Sequence, residues 1–347
     1  MKFLSDRALE RLRKAVHEPD LYGTHYRLLQ RVAGGGMGVV YAAEDVRLGR
    51  RVALKVLDLP DPAGELEKRL IREARVLARL EHPGIVPVHD VGKLSDGRVF
   101  YAMKFVEGKQ LDEHIAAVRS LPERLRVFLR MCDAVAFAHA RGVAHRDLKP
   151  ANIMVGPFGE VLVMDWGLAK LLRAAADPEE SVAPDESTRE TMAELKPPTE
   201  ATEQPPQAVQ TAHGAVMGTP GYMSPEQARG DVEQVDARSD IYSLGEILRF
   251  LATGAREGST HNGKINLPKS LAAICVKATA GEPRNRYGTV PELAADVSSY
   301  LDGLPVIAHR ENVLERAERL FARYRVAILL IAAYLAMRVL LLLVLHH

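Results

Sequence analysis

The sequence predicts an α+β fold in two lobes, a small β-rich one followed by a larger α-helical one, with a further apolar helix at the carboxyl end. Three observations carry this. From Tyr26 the stretch YRLLQRVAGGGMGVVYAAED reads as strand, glycine loop and strand, and short apolar runs at 50–59 (RRVALKVLDL) and 99–106 (VFYAMKFV) continue the β pattern. Beyond them the periodicity becomes helical, as in ERLRVFLRMCDAVAFAHARG (123–142) and SDIYSLGEILRFLATG. Strands first and helices afterwards point to segregated lobes. Last, Val326 to Leu345 form an apolar run of 20 residues with one charge, Arg338.

Composition sets the bounds. The 347 residues are 47% apolar and 26% charged with a formal net charge of +1, a globular profile that gives no sign of a nucleic-acid partner. Cys132 and Cys275 match no metal-ligand or redox spacing and are expected as buried thiols in a reducing compartment. The amino terminus, MKFLSDRALERLRK, has no apolar core of a secretory signal. Residues 1–25 read as a helical extension, with an amphipathic helix over 4–17. The two-lobed domain occupies 26–301, with helical periodicity also at 66–80 and in LPKSLAAICVKATA.

Within that domain, residues 173–212 hold nine acidic residues, three basic ones, six prolines and no aromatic. Such a segment buries too little apolar surface to offset its ordering entropy, so 171–213 is expected to be a disordered insert. A juxtamembrane helix is expected over 302–325 and a transmembrane helix over 326–345.

The chemistry begins at GGGMG, where a strand–glycine–strand turn lets backbone N–H groups approach phosphate oxygens. Alone, it reads better as a plain hairpin turn. Lys55 lies inside the apolar strand VALK, where an unpaired ammonium is costly to bury. Glu73, in the next helix, and a phosphate are its expected partners. In VAHRDLKPANIMVGPFGEVLVMDWG, Asp147 and Asn152 are five apart and Asp165 follows across a hairpin. Phosphoryl transfer needs a carboxylate at the attacking hydroxyl, oxygen ligands for magnesium and positive charge on the phosphates. Asp147, Asn152, Asp165, Lys149 and Lys55 supply those parts. His145 reads as a packed histidine, and Met103, Met154 and Met164 as core or pocket residues.

HRDLKPAN, DWG, VALK and the later SPE together resemble the eukaryotic-like (Hanks-type) bacterial serine/threonine protein kinase family over about residues 26–301. The resemblance implies a bilobal protein kinase fold and ATP with Mg2+ as cofactors. It implies that Lys55 binds the α/β-phosphates and pairs with Glu73, Asp147 accepts the substrate proton, and Lys149 contacts the γ-phosphate. Asn152 and Asp165 would hold magnesium. The loop positions are Ala33, Gly35 and Gly38; Ala33 stands where the family has its first glycine, so weaker loop closure is expected. Val40, Ala53 and Met154 would sandwich adenine, with a hinge at Lys104 to Val106 after a gatekeeper-like Met103. Glu226 and Arg286 match a structural ion pair, and Asp240 a brace of the catalytic loop. Trp166, the sole tryptophan, would pack against the Glu73 helix and leave the chemistry to Asp165.

The same resemblance places the acidic insert in the activation segment, where Arg146 would bind a phosphorylated residue. Thr211 is the preferred site, then Thr188, Thr191, Thr199 and Thr202, with Thr219 expected to contact Asp147. AREGSTHNGKIN is shorter than the family's usual substrate-docking region. The implied partners are ATP, protein substrates with Ser or Thr, and the membrane. Arginines at 323 and 325 predict a single-pass inner-membrane protein with its kinase domain cytoplasmic. A helix packed on a partner protein is the rival reading of the apolar run, and the helical 311–345 stretch offers a surface for a homodimer. A pseudokinase scaffold, binding nucleotide or a partner without turnover, is the alternative to an active enzyme.

Overall fold

The computed structural model describes residues 18–35, 38–58, 64–167, 170–171, 221–231, 235–254, 267–313, 316–317, 321 and 328–338. Five antiparallel strands form the first sheet: β1 (Tyr26–Gly35), β2 (Gly38–Asp45), β3 (Arg50–Val56), β4 (Val88–Lys93) and β5 (Val99–Lys104), in the order β1-β2-β3-β5-β4. Helix α1 (Glu65–Ala78) packs on this sheet.

The period of two along these strands decides what each face does. Val52, Leu54 and Val56 of β3 join Val39, Tyr41, Phe100 and Ala102 in a small outer core. Ala53, Tyr101 and Met103 point the other way, into the main core with Leu70, Ala74 and Leu77 of α1. A lysine at 55 therefore emerges on the helix-facing side. Strand identity alone aims it there.

The second lobe is helical. After β6 (Lys109–Gln110), α2 (Leu111–Ala117) leads to α3 (Leu121–Ala140), whose apolar face is buried at Leu125, Phe128, Met131, Cys132 and Val135. Short strands β7 (Val143–Ala144), β8 (Ile153–Val155), β9 (Val161–Val163) and β10 (Lys170–Leu171) carry the loops between them; β6, β8 and β9 form one sheet and β7 with β10 another. Then come α4 (Pro225–Ala228), α5 (Ala237–Thr253), α6 (Lys269–Ala278) and α7 (Val290–Leu301). The Asp236 side chain caps α5 at Arg238 N–H, and Gly254 closes it with φ 68°. Both cysteines are buried free thiols, as expected.

Three sequence expectations change at the termini and the insert. Residues 4–17 of the amino-terminal helix lie outside the described residues, and 18–25 form turns instead of helix. Leu171 belongs to β10, paired with Val143, while the rest of the acidic insert lies outside the described residues.

The juxtamembrane helix does not start at 302. Gly303 adopts φ 66°, Pro305 follows it, and 302–312 run as turns and irregular chain. Asp296 of α7 fastens this segment: its carboxylate accepts from Ile307 N–H at 2.7 Å, Ala308 N–H at 3.0 Å and the Tyr287 hydroxyl at 2.8 Å. Residues 328–338 are helical. Among the described residues no helix is long and apolar enough to cross a membrane, so the expected 326–345 span is not established.

Candidate active site

Between the lobes lies a cleft of about 450 Å³. Ala33, Gly38 and Val40 line its roof, Ala53, Met103, Lys104 and Val106 its back, and Met154 its floor. Lys55, Asn152 and Asp165 stand at its polar end. Gly35 is opposite Gly38 at the strand ends, and residues 36–37 lie outside the described residues. Glycine at 38 has a cause of its own, since a Cβ there would come within 2.4 Å of the Val56 carbonyl oxygen. The β3–β5 ladder ends at Lys104, so the peptide groups of Phe105 and Val106 leave the sheet beside the cleft. The Lys104 side chain points to solvent.

Lys55 is bound on two sides. Its Nζ donates to Glu73 at 2.7 and 3.0 Å and to Asp165 Oδ1 at 3.3 Å. Burial alone would lower the pKa of Lys55, but Glu73 and then Asp165 outweigh it and raise it. The reverse holds at Asp165: burial pushes its carboxyl up, and Lys55 followed by His145 brings it below the ordinary value. Both groups stay charged, a cation and an anion at one wall of the cleft.

Across the cleft, Lys149 Nζ donates to Asp147 Oδ2 at 2.7 Å. Asn152 donates through Nδ2 to the Asp147 carbonyl at 2.8 Å and to Asp147 Oδ2 at 3.2 Å. With its nitrogen so engaged, Asn152 has its amide oxygen left for a cation. That oxygen and the Asp165 carboxylate suit magnesium, a hard ion that takes oxygen ligands and completes its shell with phosphates and water. Among the described residues no group of three or more His, Cys, Asp or Glu side chains could hold a metal ion by itself. Two protein oxygens leave the rest of a magnesium shell to phosphate oxygens and water.

Backbone geometry around these side chains is unusual and held in place. Arg146 and Asp165 are the described non-glycine residues with left-handed φ, at 71° and 56°. Such conformations persist where surroundings over-determine them, and they gather at functional sites. Asp240 provides the restraint for the first: it accepts from His145 N–H at 2.8 Å and Arg146 N–H at 2.7 Å, while Gln227 donates to the Arg146 carbonyl at 2.7 Å. His139 Nε2 completes the Asp240 contacts at 2.7 Å. His145 is fully buried, with Nε2 2.9 Å from the Met164 carbonyl. It is a packed histidine that ties the loop to the residue just before Asp165.

Trp166 is buried in the main core with its ring 4.6 Å from His145, and its Nε1 donates to the Val163 carbonyl at 3.3 Å. Sequence reasoning missed one polar contact in this site. The Tyr101 hydroxyl donates to Glu73 Oε1 at 2.8 Å. The available signal was the alternation of β5, which sets Tyr101 on the same face as Met103.

A protein kinase domain model matches residues 26–194. The serine/threonine-protein kinase PknD of Protochlamydia amoebophila (strain UWE25) is 33% identical over 314 residues, covering 80% of this chain and 30% of that protein. PknD of Chlamydia trachomatis serovar L2b (strain UCH-1/proctitis) is 35% identical over 318 residues, covering 81% and 32%. The chain thus spans about a third of the length of the curated relatives it matches. The crystal structure of the M. tuberculosis PknI kinase domain superposes with a TM-score of 0.54 at 26% identity, covering 81% of this chain and 96% of that one.

Proposed function

This chain belongs to the eukaryotic-like (Hanks-type) family of bacterial serine/threonine protein kinases, and on that premise we propose that it transfers the γ-phosphoryl group of ATP to Ser and Thr hydroxyls of proteins. The observation that carries the reading is two bonded clusters at the polar end of the cleft, Lys55 with Glu73 and Asp165, and Asp147 with Lys149 and Asn152.

The substrate hydroxyl oxygen attacks the γ-phosphorus as the bond to the bridging oxygen breaks and ADP leaves. Asp147 orients the hydroxyl and takes its proton. Lys149 faces the charge on the transferring group, and Lys55, held by Glu73, faces the α/β-phosphates. Magnesium bound by Asn152 and Asp165 would neutralise phosphate charge. Val40, Ala53 and Met154, all on the cleft lining, would hold adenine. The intact set of charged groups speaks against the scaffold reading.

Activation by phosphorylation of the chain itself is part of the proposal. Its threonines, Thr188, Thr191, Thr199, Thr202 and Thr211, lie outside the described residues, as does Thr219. Supporting it, burial lowers the pKa of Arg146, Asp240 opposes this, and Arg72 of α1 lowers it further, so the two cations act on one region. Two neighbouring cations suit a phosphate. The test is incubation with labelled ATP, Mg2+ and a generic protein substrate. Label should appear on the substrate and, by tryptic mass spectrometry, between residues 171 and 219. Lys55→Met should remove both signals; transfer by Lys55→Met at the wild-type rate would defeat the reading.

Membrane anchoring through 326–345, with the kinase domain cytoplasmic, is the second part of the proposal. Leu329, Leu330, Ile331, Leu335 and Met337 in helical 328–338 are all more than half exposed, an apolar surface that water does not favour. Arg338 would cost about 2.5–3.5 kcal/mol on insertion scales, which the surrounding Leu and Ile residues offset. The chain should stay with the membrane pellet after carbonate extraction. Release into the supernatant would assign this surface to a protein partner instead.

A further inference from the structure

Lys55 and Tyr101 are direct cross-strand partners in the β3–β5 register, so their side chains leave the sheet on one face, side by side. Glu73 reaches between them from α1. Its Oε1 accepts from Lys55 Nζ at 2.7 Å and from the Tyr101 hydroxyl at 2.8 Å. The ammonium also lies 5.9 Å from the Tyr101 ring centroid. All three residues are buried.

We propose that Tyr101 is a positioning residue for phosphoryl transfer: its hydroxyl anchors Glu73, and through Glu73 the whole of α1, to the sheet independently of Lys55. The inference rests on the phosphotransfer reading above. The reason for a second anchor lies in what Lys55 has to do. A lysine that turns its donors toward phosphate oxygens weakens its hold on Glu73, and a helix tied by that bond alone would loosen when the substrate arrives. Tyr101 lines the cleft wall, but its single hydroxyl proton is already given to Glu73, so that bond does not have to be shared with phosphate oxygens. Burial, and then the Glu73 carboxylate, hold the pKa of this phenol far above its ordinary value, so it stays a donor through the working range. Packing alone would be met by phenylalanine, which fills the same strand position without adding a hydroxyl that has to be satisfied.

Tyr101→Phe removes the hydroxyl and keeps the ring. At saturating ATP and Mg2+ its kcat is expected to fall roughly tenfold, with KM for ATP changed far less, since Lys55 and the adenine walls remain. Amide hydrogen exchange in the 347-residue chain provides a readout that needs no activity. Protection over Glu65–Ala78 should drop by about tenfold while that over Ala237–Thr253 is unchanged. Lys55→Met should leave α1 protected, and Lys55→Met combined with Tyr101→Phe should not. Equal α1 exchange in Tyr101→Phe and wild type would overturn the proposal, and so would loosening spread over both lobes. Absence of phosphotransfer by the wild type would refute the activity, while the exchange experiment would still decide the role of Tyr101.

Discussion

Replacing Asp147 by Asn is expected to lower kcat by roughly 10²–10⁴-fold, the usual contribution of a positioned general base, with KM for ATP nearly unchanged. The split follows from position. Asp147 is held at the catalytic loop by Lys149 and by the Asn152 side chain, and it is not among the residues lining the nucleotide cleft. Asparagine keeps the shape and one acceptor oxygen, so the loop, braced from behind by Asp240, has no cause to move. What disappears is the group that can accept a proton from the hydroxyl as its oxygen bonds to phosphorus. A variant that lost ATP affinity and kept kcat would make Asp147 a binding residue and return the proton-transfer role to an unassigned group. Steady-state kinetics in ATP and in protein substrate separate the two results.

Much of this site was legible because its chemistry is local in sequence. Asp147, Lys149 and Asn152 lie within one loop, and the alternation of β3 and β5 alone places Ala53, Lys55 and Met103 on a common face. Contacts that depend on how separate elements pack were less accessible. Glu73 and Tyr101 are 28 residues apart; the alternation of β5 gives the face of Tyr101, but not that the α1 carboxylate meets it there. The Asp296 contacts to Ile307 and Ala308 were likewise invisible. The expected helix over 302–325 passed over Gly303 and Pro305, local signals that agree with the irregular chain at 302–312. Arg146 and Asp165 show a third limit, since left-handed backbone at a non-glycine residue is imposed by neighbours such as Asp240 and Gln227.

Arg286→Met is expected to destabilise the helical lobe by about 3–5 kcal/mol, the usual cost of stripping one partner from a buried ion pair. Folded domains are stable by only about 5–15 kcal/mol, so this single change consumes a large share. All the guanidinium donors are engaged. Two bonds go to Glu226 at 2.7 and 2.8 Å, and the others to the carbonyls of Ala280 at 2.8 Å, Arg238 at 2.9 Å and Gly281 at 3.1 Å. Methionine leaves Glu226 with the Ser239 hydroxyl, at 2.8 Å, as its remaining described side-chain donor, and leaves three carbonyls without theirs. Exchanging both partners for apolar residues should cost much less than the sum of the single changes. The pH dependence supplies an independent check. Burial pushes the Glu226 carboxyl up, but the Arg286 and Ser239 hydrogen bonds overcome that and bring it from an ordinary 4.5 to about 2. A carboxylate depressed in the folded state contributes its stability above the unfolded value and loses it as pH falls through the folded one. The wild type should therefore weaken progressively from pH 4.5 to pH 2, by on the order of 3 kcal/mol from this group. In Arg286→Met that contribution should vanish, because an unpaired buried carboxyl prefers to be protonated. Urea midpoints measured across that range would show it, and an acid slope identical in the two proteins would mean that the ion pair does not hold these helices together.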